Sequence, residues 1–157
     1  MNYRIVEVGP FAVVGIKNRV DTETAFDRVP RLWSDASERG IFERLWEIRN
    51  GDHPLRGFLG VCANGAFGKK ETFDYMLAVA SDQSPPPEGM AEMAFPKATW
   101  AVFEADGHPS GIPDIWKRLY TEWVPVSSYD LADLPAIECY LPQAENKNEL
   151  WVPVVKK

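Results

Sequence analysis

Long apolar runs and cysteine-rich segments are missing from this chain of 157 residues. No run approaches the roughly 18 apolar residues of a membrane-spanning helix, so we expect no membrane span. The first residues, Met1 to Arg4, lead directly into an alternating strand and lack the pattern of a signal peptide. Cys62 and Cys139 both lie in apolar stretches, where buried free thiols are expected rather than a disulfide. Together these features predict a cytoplasmic protein.

Clustered basic residues, metal-ligand clusters and common catalytic motifs are also scarce. The net charge is −6 and the pI is near 5.0, with lysine and arginine scattered, which argues against a nucleic-acid surface. An acidic protein can still attract cations. His53 and His108 stand beside prolines without a cysteine or carboxylate cluster at ligand spacing, so we expect no metal. No Gly-x-Ser-x-Gly elbow or dinucleotide fingerprint occurs, which disfavours common hydrolases and predicts no cofactor.

Two pentapeptides, Val29–Trp33 (VPRLW) and Ile112–Trp116 (IPDIW), nearly repeat each other about half the chain apart. In each, a proline suited to the first turn of a helix precedes by three residues a tryptophan that the helix would carry inward. This repeat predicts a single domain, 1–157, that arose by duplication, with a cleft where its halves meet. We place the half-repeats at about 1–82 and 90–157, joined by a Pro-rich linker at about 81–89.

Each half has the pattern strand, helix, strand, strand. The predicted elements of the first half are strands within Tyr3–Val20, a helix over Thr24–Arg39, a helical turn at Phe42–Ile48, and strands at Phe58–Cys62 and Thr72–Ala80. Those of the second half are strands within Ala91–Ala105, a helix over Ser110–Trp123 capped by Ser110, and strands at Ala136–Leu141 and Glu149–Val155. Single helices between strands that pair as hairpins favour an α+β fold: duplicated β-α-β-β units, a mainly antiparallel sheet and two main helices around a central cleft.

One acidic residue, Glu138, stands in an otherwise uncharged strand, and the aligned position of the first half is Gly60. Period-2 alternation places Glu138 and Tyr140 on the same face. A buried, unpaired carboxylate is costly and its pKa rises, unless a cation or hydrogen-bond donors compensate. If this face points into the cleft, the site would favour a cationic aromatic ligand through charge and cation–π contact. The alternative is a solvent-facing glutamate on a half-exposed strand.

Six tryptophans are a rich supply of aromatic surface. Trp33 and Trp116 are expected on the inner sides of their helices, and Trp151 shares a strand face with Glu149. Simple core packing explains most tryptophans at helical spacing. Rings at equivalent positions of two halves would flank a two-fold axis, which favours a pocket here.

In this order, the motifs resemble the GyrI-like, or AraC-type effector-binding, domain family. The resemblance covers nearly the whole chain and rests on the opening strand Tyr3–Pro10, both Pro-x-x-Trp helices, and the strands Phe58–Cys62, Ile137–Tyr140 and Glu149–Val154. The family includes drug-binding domains of multidrug-responsive transcription regulators and small stand-alone bacterial proteins. It implies a duplicated β-α-β-β unit with pseudo-two-fold symmetry.

The resemblance also implies a site. Glu138 would lie in the central cavity and contact cationic, often polyaromatic ligands, while Trp33, Trp116, Tyr140 and Trp151 would line it. The usual strand of the family reads Phe-Glu-Arg-Tyr, whereas this chain has Ile137-Glu138-Cys139-Tyr140 and lacks the arginine.

Three functions follow from these expectations. The leading hypothesis is a stand-alone protein that binds hydrophobic cationic or aromatic small molecules, with Glu138 as the counter-charge. An alternative is a hydrolase of reactive electrophilic compounds, with Glu138 as general base. Another is a protein-interaction module, with gyrase or a regulator as partner. No helix-turn-helix precedes the first strand, so we expect no direct contact with nucleic acid.

Overall fold

The computed structural model describes residues 1–65, 69–108 and 110–157, and within these ranges nine strands form one antiparallel sheet. The strands are β1 (Tyr3–Val8), β2 (Phe11–Asp21), β3 (Phe58–Ala63), β4 (Thr72–Ala80), β5 (Ala91–Phe95), β6 (Ala98–Asp106), β7 (Tyr129–Leu131), β8 (Ala136–Tyr140) and β9 (Lys147–Lys156). The described α-helices are α1 (Ala25–Glu38), α2 (Ile41–Ile48) and α3 (Gly111–Arg118), which continues into a π-helical turn at Leu119–Trp123. Short 3-10 helices lie at Thr22–Thr24 and Gln143–Glu145. This architecture confirms the predicted α+β class.

The order of strands across the sheet is nearly palindromic. It runs β1-β6-β9-β8-β3-β4-β2-β5, with the short β7 pairing to β9 off this path. The central strands β8 and β3 come from different halves, and the strands at equivalent distances on either side also correspond. The first strand of each half pairs with the second strand of the other half, β1 with β6 and β5 with β2. The exchange joins the two halves into one sheet. The equivalent positions of corresponding strands are those that the proposed duplication would give.

The buried apolar side chains form three clusters, two of which lie between the helices and the sheet. The cluster beneath α3 contains Phe103 and Leu150, and the cluster beneath α1 and α2 contains Leu45 and Leu77. A third cluster draws residues from both halves and includes side chains of β3, β8 and β9 that alternate with those beneath the helices. Each fully buried large aliphatic or aromatic side chain contributes roughly 1.5–3 kcal/mol. All three α-helices are therefore fixed against the sheet by their own buried residues.

The helical regions depart from the sequence expectations in three details. Pro30 lies inside α1 rather than in its first turn, because the helix begins at Ala25, five residues earlier. Pro113, in contrast, is the third residue of α3, as predicted. The hydroxyl of Ser110 does not cap α3 and instead hydrogen-bonds to Nδ1 of His108 at 2.7 Å. The expected helical turn after α1 is a separate helix, α2, of eight residues.

Both cysteines are free, with Cys139 buried and Cys62 half-buried. Within the described ranges, no helix combines the length and the apolar character that crossing a bilayer requires.

Candidate ligand-binding site

A cavity of about 1250 Å³ lies over the centre of the sheet, between α1 and α3. Its floor is formed by side chains of the central strands and β4, and its walls come from the two helices, where the near-repeated pentapeptides are found. The principal lining residues are Phe26, Val29, Pro30 and Trp33 from α1, Pro113, Trp116 and Lys117 from α3, Tyr120 from the π-helical turn, and Cys62, Tyr75, Glu138 and Tyr140 from the sheet. The repeat therefore locates the cavity, since both copies contribute a proline and a tryptophan.

Glu138 lies on the floor of the cavity and accepts three hydrogen bonds from neutral donors. Its Oε1 accepts from the hydroxyls of Tyr75, at 2.8 Å, and Tyr140, at 2.9 Å. Its Oε2 accepts from Nε1 of Trp116 at 3.2 Å. Protein atoms surround the carboxylate, yet part of its surface remains open to the cavity. Among the described residues no lysine, arginine or histidine forms an ion pair with it.

Trp33 extends this network to the opposite helix. Its Nε1 donates to the hydroxyl of Tyr75 at 2.9 Å, so the tyrosine accepts from Trp33 and donates to Glu138. The ring of Trp33 also meets the ring of Tyr140 edge-on, with centroids 4.8 Å apart and planes at 72°. The two tryptophans thus approach Glu138 from opposite walls, Trp116 directly and Trp33 through Tyr75.

Gly60 gives this network its space. It lies directly opposite Glu138 in the pairing of β3 with β8. A Cβ at this position would lie 2.7 Å from Cζ of Tyr75 and 2.8 Å from Oε1 of Glu138, and would also collide with the tyrosine hydroxyl. Only a residue without a side chain lets the hydroxyl of Tyr75 reach the carboxylate.

Burial raises the pKa of Glu138, and the hydrogen bonds from Tyr75, Trp116 and Tyr140 oppose this by favouring the charged form. Burial also raises the pKa of Tyr75 and of Tyr140, and the nearby charge of Glu138 raises both further. The two phenols therefore stay protonated and remain donors at neutral pH. The same causes raise the pKa of the Cys62 thiol, which lines the cavity as a neutral group.

Three more charged residues line the cavity near its opening, and all are exposed: Lys70, Lys117 and Asp133. Lys70 lies two residues before β4. Its carbonyl accepts a hydrogen bond from the hydroxyl of Thr22, which lies just before α1, at 2.7 Å. Lys117 lies across the cavity on α3. Across residues 1–65, 69–108 and 110–157, none of these three side chains forms an ion pair.

Trp151 does not line the cavity, although the family resemblance implied that it would. It pairs with Ile137 across β8 and β9, and directly opposed residues share a face, so it lies on the side of the sheet away from Glu138. There it packs against Trp100, with centroids 6.0 Å apart, and its Nε1 donates to Glu149 at 3.1 Å. Glu149 also forms an ion pair with Arg4 at 3.0 Å. Trp151 and Glu149 are both buried, so they belong to the core on that side of the sheet.

The other predicted site residues, Glu138, Trp33, Trp116 and Tyr140, do meet at one cavity. Sequence reasoning missed Tyr75, which contacts both Glu138 and Trp33. A signal was present, since a phenol in the middle of a buried apolar strand needs a hydrogen-bond partner. The arrangement offers a carboxyl group, oriented by three hydrogen bonds, among aromatic rings. Within the described residues no group of three or more histidine, cysteine or acidic side chains is suited to a metal ion.

Comparisons with known proteins agree with this architecture. The sequence model of a family described as a GyrI-like small molecule binding domain matches residues 1–155. Among solved structures, SAV2435 bound to tetraphenylphosphonium has a TM-score of 0.84 at 22% identity, covering 99% of this chain and 94% of that one. A putative bacterial transcription regulation protein from Staphylococcus aureus MU50 has a TM-score of 0.77 at 21% identity, covering 98% of each chain.

The C-terminal domain of EcmrR has a TM-score of 0.63 at 14% identity, covering 99% of this chain and 98% of that domain. A comparison with curated protein sequences gave no significant match. At these identities the structural likenesses establish a shared fold.

Proposed function

This chain belongs to the GyrI-like family of small-molecule-binding domains, and we propose that it binds hydrophobic cationic or aromatic compounds in its central cavity, with Glu138 as the counter-charge. The observation that carries this proposal is the state of Glu138. The carboxylate is held by three neutral donors, and no cation among the described residues pairs with it. A charge on Glu138 is therefore oriented by hydrogen bonds, but not neutralised by a protein cation, at the floor of an open cavity.

The surroundings of Glu138 favour a cation whose charge is spread over an apolar body. Three donors already occupy much of the lone-pair capacity of the carboxylate, so a ligand rich in hydrogen-bond donors would find few acceptors. A lipophilic cation needs none, and it gains contact with the faces of Trp33 and Trp116, each worth about 0.5–2 kcal/mol. The cavity, at about 1250 Å³, is larger than most small-molecule sites and has room for several rings. Tetraphenylphosphonium, which is bound to SAV2435, has this character.

The same hydrogen bonds bear on the alternative of hydrolysis, because they reduce the basicity of Glu138. A general base must take a proton from water, and each donor to the carboxylate makes it a weaker base. Burial nevertheless raises the pKa of Glu138 overall, so hydrolysis with Glu138 as general base is the second candidate; turnover of a reactive electrophile that is lost in Glu138→Ala while binding is retained would favour it.

Titration with tetraphenylphosphonium, followed by calorimetry, tests the proposal. Glu138→Gln keeps the shape of the side chain and removes its charge. At an effective dielectric constant of about 20, a unit charge roughly 6 Å away contributes about 2–3 kcal/mol, so we expect affinity to fall roughly 30- to 100-fold. Asp133→Asn is the matched control, because this exposed carboxylate lines the same cavity outside the network. Its loss should change affinity by no more than about fivefold, well below the effect of Glu138→Gln.

Tetraphenylborate, the anion of nearly the same shape, separates charge from hydrophobic fit. Wild-type protein should discriminate strongly in favour of the phosphonium ion, and Glu138→Gln should remove most of that discrimination. Equal affinity of wild type and Glu138→Gln for the phosphonium ion would refute the role of Glu138.

A further inference from the structure

The charged residues that line the cavity are balanced in sign. Glu138 and Asp133 carry negative charge, and Lys70 and Lys117 carry positive charge. Within the described ranges none of the four forms an ion pair with another residue. A cavity built only for simple cations would gain from acidic side chains alone, and two unpaired lysines on its wall would reduce the affinity.

The charges also differ in depth: Glu138 alone lies at the floor, and the exposed Lys70, Lys117 and Asp133 leave a net positive charge near the opening. Glu138 lies half-buried at the floor, where aromatic hydroxyls and an indole contact it, whereas both lysines are exposed near the opening. Lys70 is anchored beside the start of α1 through the contact of its carbonyl with Thr22, and Lys117 is on α3 next to Trp116. A ligand that sits against Glu138 and extends outward would pass between one lysine on each side.

On this basis we propose that the preferred ligands are amphoteric: a hydrophobic cation that enters toward Glu138 and carries an acidic group that remains at the opening, beside Lys70 and Lys117. The inference rests on the proposed function, since it takes the cationic end of the ligand to lie at Glu138. The inference adds an anionic group attached to the aromatic body of the ligand. It therefore narrows the expected ligand class from lipophilic cations to aromatic compounds that carry both a positive and a negative charge.

A matched pair of dyes tests this assignment. Rhodamine B at neutral pH carries an aromatic cation and one carboxylate, and its ethyl ester keeps the cation but lacks the anion. Each exposed ion pair is worth little, about 0.2–1 kcal/mol, which corresponds to roughly 1.5- to 5-fold in affinity. We therefore expect wild-type protein to bind rhodamine B about five- to tenfold more tightly than the ester. The preference should shrink as salt is added, because exposed charges are screened.

Substitutions assign the preference to these two residues. The double variant Lys70→Met/Lys117→Met should bind the two dyes with affinities within about twofold of each other, and Lys70→Arg/Lys117→Arg should restore the preference. Lys97→Met is the control, because Lys97 is exposed, pairs with Glu7 and lies outside the cavity lining. Equal or tighter binding of the ester by wild type, or a preference that survives the methionine variants, would overturn the inference.

Tetraphenylphosphonium and Glu138→Gln separate this outcome from failure of the proposed function. If Glu138→Gln weakens the phosphonium ion and both dyes while the lysines have no effect, only the amphoteric assignment fails. If Glu138→Gln leaves all three ligands unaffected, or if none of them binds, the proposed function fails and the inference fails with it.

Discussion

Replacing Gly60 by alanine should disrupt the network around Glu138 by adding a single methyl group. The new Cβ would lie 2.7 Å from Cζ of Tyr75 and 2.8 Å from Oε1 of Glu138, well inside the 3.4–4 Å of ordinary contact. The tyrosine ring cannot simply swing away, because Tyr75 is buried and its hydroxyl is held by Nε1 of Trp33. We expect the hydrogen bond between Tyr75 and Glu138 to break.

Two terms set the magnitude of this effect. Overpacking a close-packed interior costs about 1–3 kcal/mol, and losing a hydrogen bond to a charged group costs about 1.5–3 kcal/mol. Alanine recovers at most about 1 kcal/mol by restricting the unfolded chain. The free energy of unfolding should therefore fall by roughly 1.5–6 kcal/mol. Urea unfolding followed by circular dichroism measures this loss, and tetraphenylphosphonium affinity should fall in the same variant because the carboxylate loses its orientation.

Gly51→Ala provides the control, since a Cβ there would meet nothing within 4 Å. That variant should be neutral or slightly stabilised and should bind the cation like wild type. If Gly60→Ala is as stable as Gly51→Ala and binds the cation normally, the close approach of Tyr75 to Glu138 is not a determinant of the site.

The raised pKa of Glu138 leads to two predictions about pH. Because burial raises this pKa, acidification should weaken tetraphenylphosphonium binding at a pH above the usual 4.5 of a glutamate, by up to tenfold per pH unit, whereas calorimetry on Glu138→Gln should give an almost flat profile. In the ligand-free protein, the folded state holds the Glu138 proton more tightly than the unfolded state. The stability that comes from the protonated form is therefore full below about pH 4.5 and is lost as pH rises through the raised pKa. Relative to Glu138→Gln, the unfolding free energy of wild type should fall over that window, and a constant difference between them would contradict the assigned pKa.

Local patterns in the sequence predicted most elements of the fold. The bounds of β4, Thr72–Ala80, agree with the prediction, because a β-rich run between turn residues is a local signal. The three-residue β7 was missed, since it forms only against the end of β9 and has little pattern of its own. The exchange of β1 and β5 between the halves was also not predicted. Which strand a given strand pairs with depends on contacts distant in sequence, and alternation does not identify them.

The candidate site was predictable where one residue conflicted with its surroundings. Glu138 was identified because a carboxylate in an apolar strand requires compensation. Tyr75 supplies part of that compensation from 63 positions away in the chain, and local patterns do not reveal a contact over that separation. Trp151 was placed in the cavity by the family resemblance, but its face is determined by pairing with Ile137. Alternation shows which residues of one strand share a face, whereas register determines which faces of two strands coincide.

The pairing of Gly60 with Glu138 explains why a nearly symmetric scaffold carries an asymmetric site. If both positions held glutamate, two carboxylates would face each other on strands whose opposed Cα atoms are about 4.5–5.5 Å apart. Like charges at that distance raise each other's pKa until one is protonated, so the second carboxylate would add repulsion and little net charge. Glycine avoids this repulsion and leaves the volume that the hydroxyl of Tyr75 occupies. One acidic residue and one position without a side chain, opposed across the centre of the sheet, place a single carboxyl group, oriented by three hydrogen bonds, at the floor of the cavity.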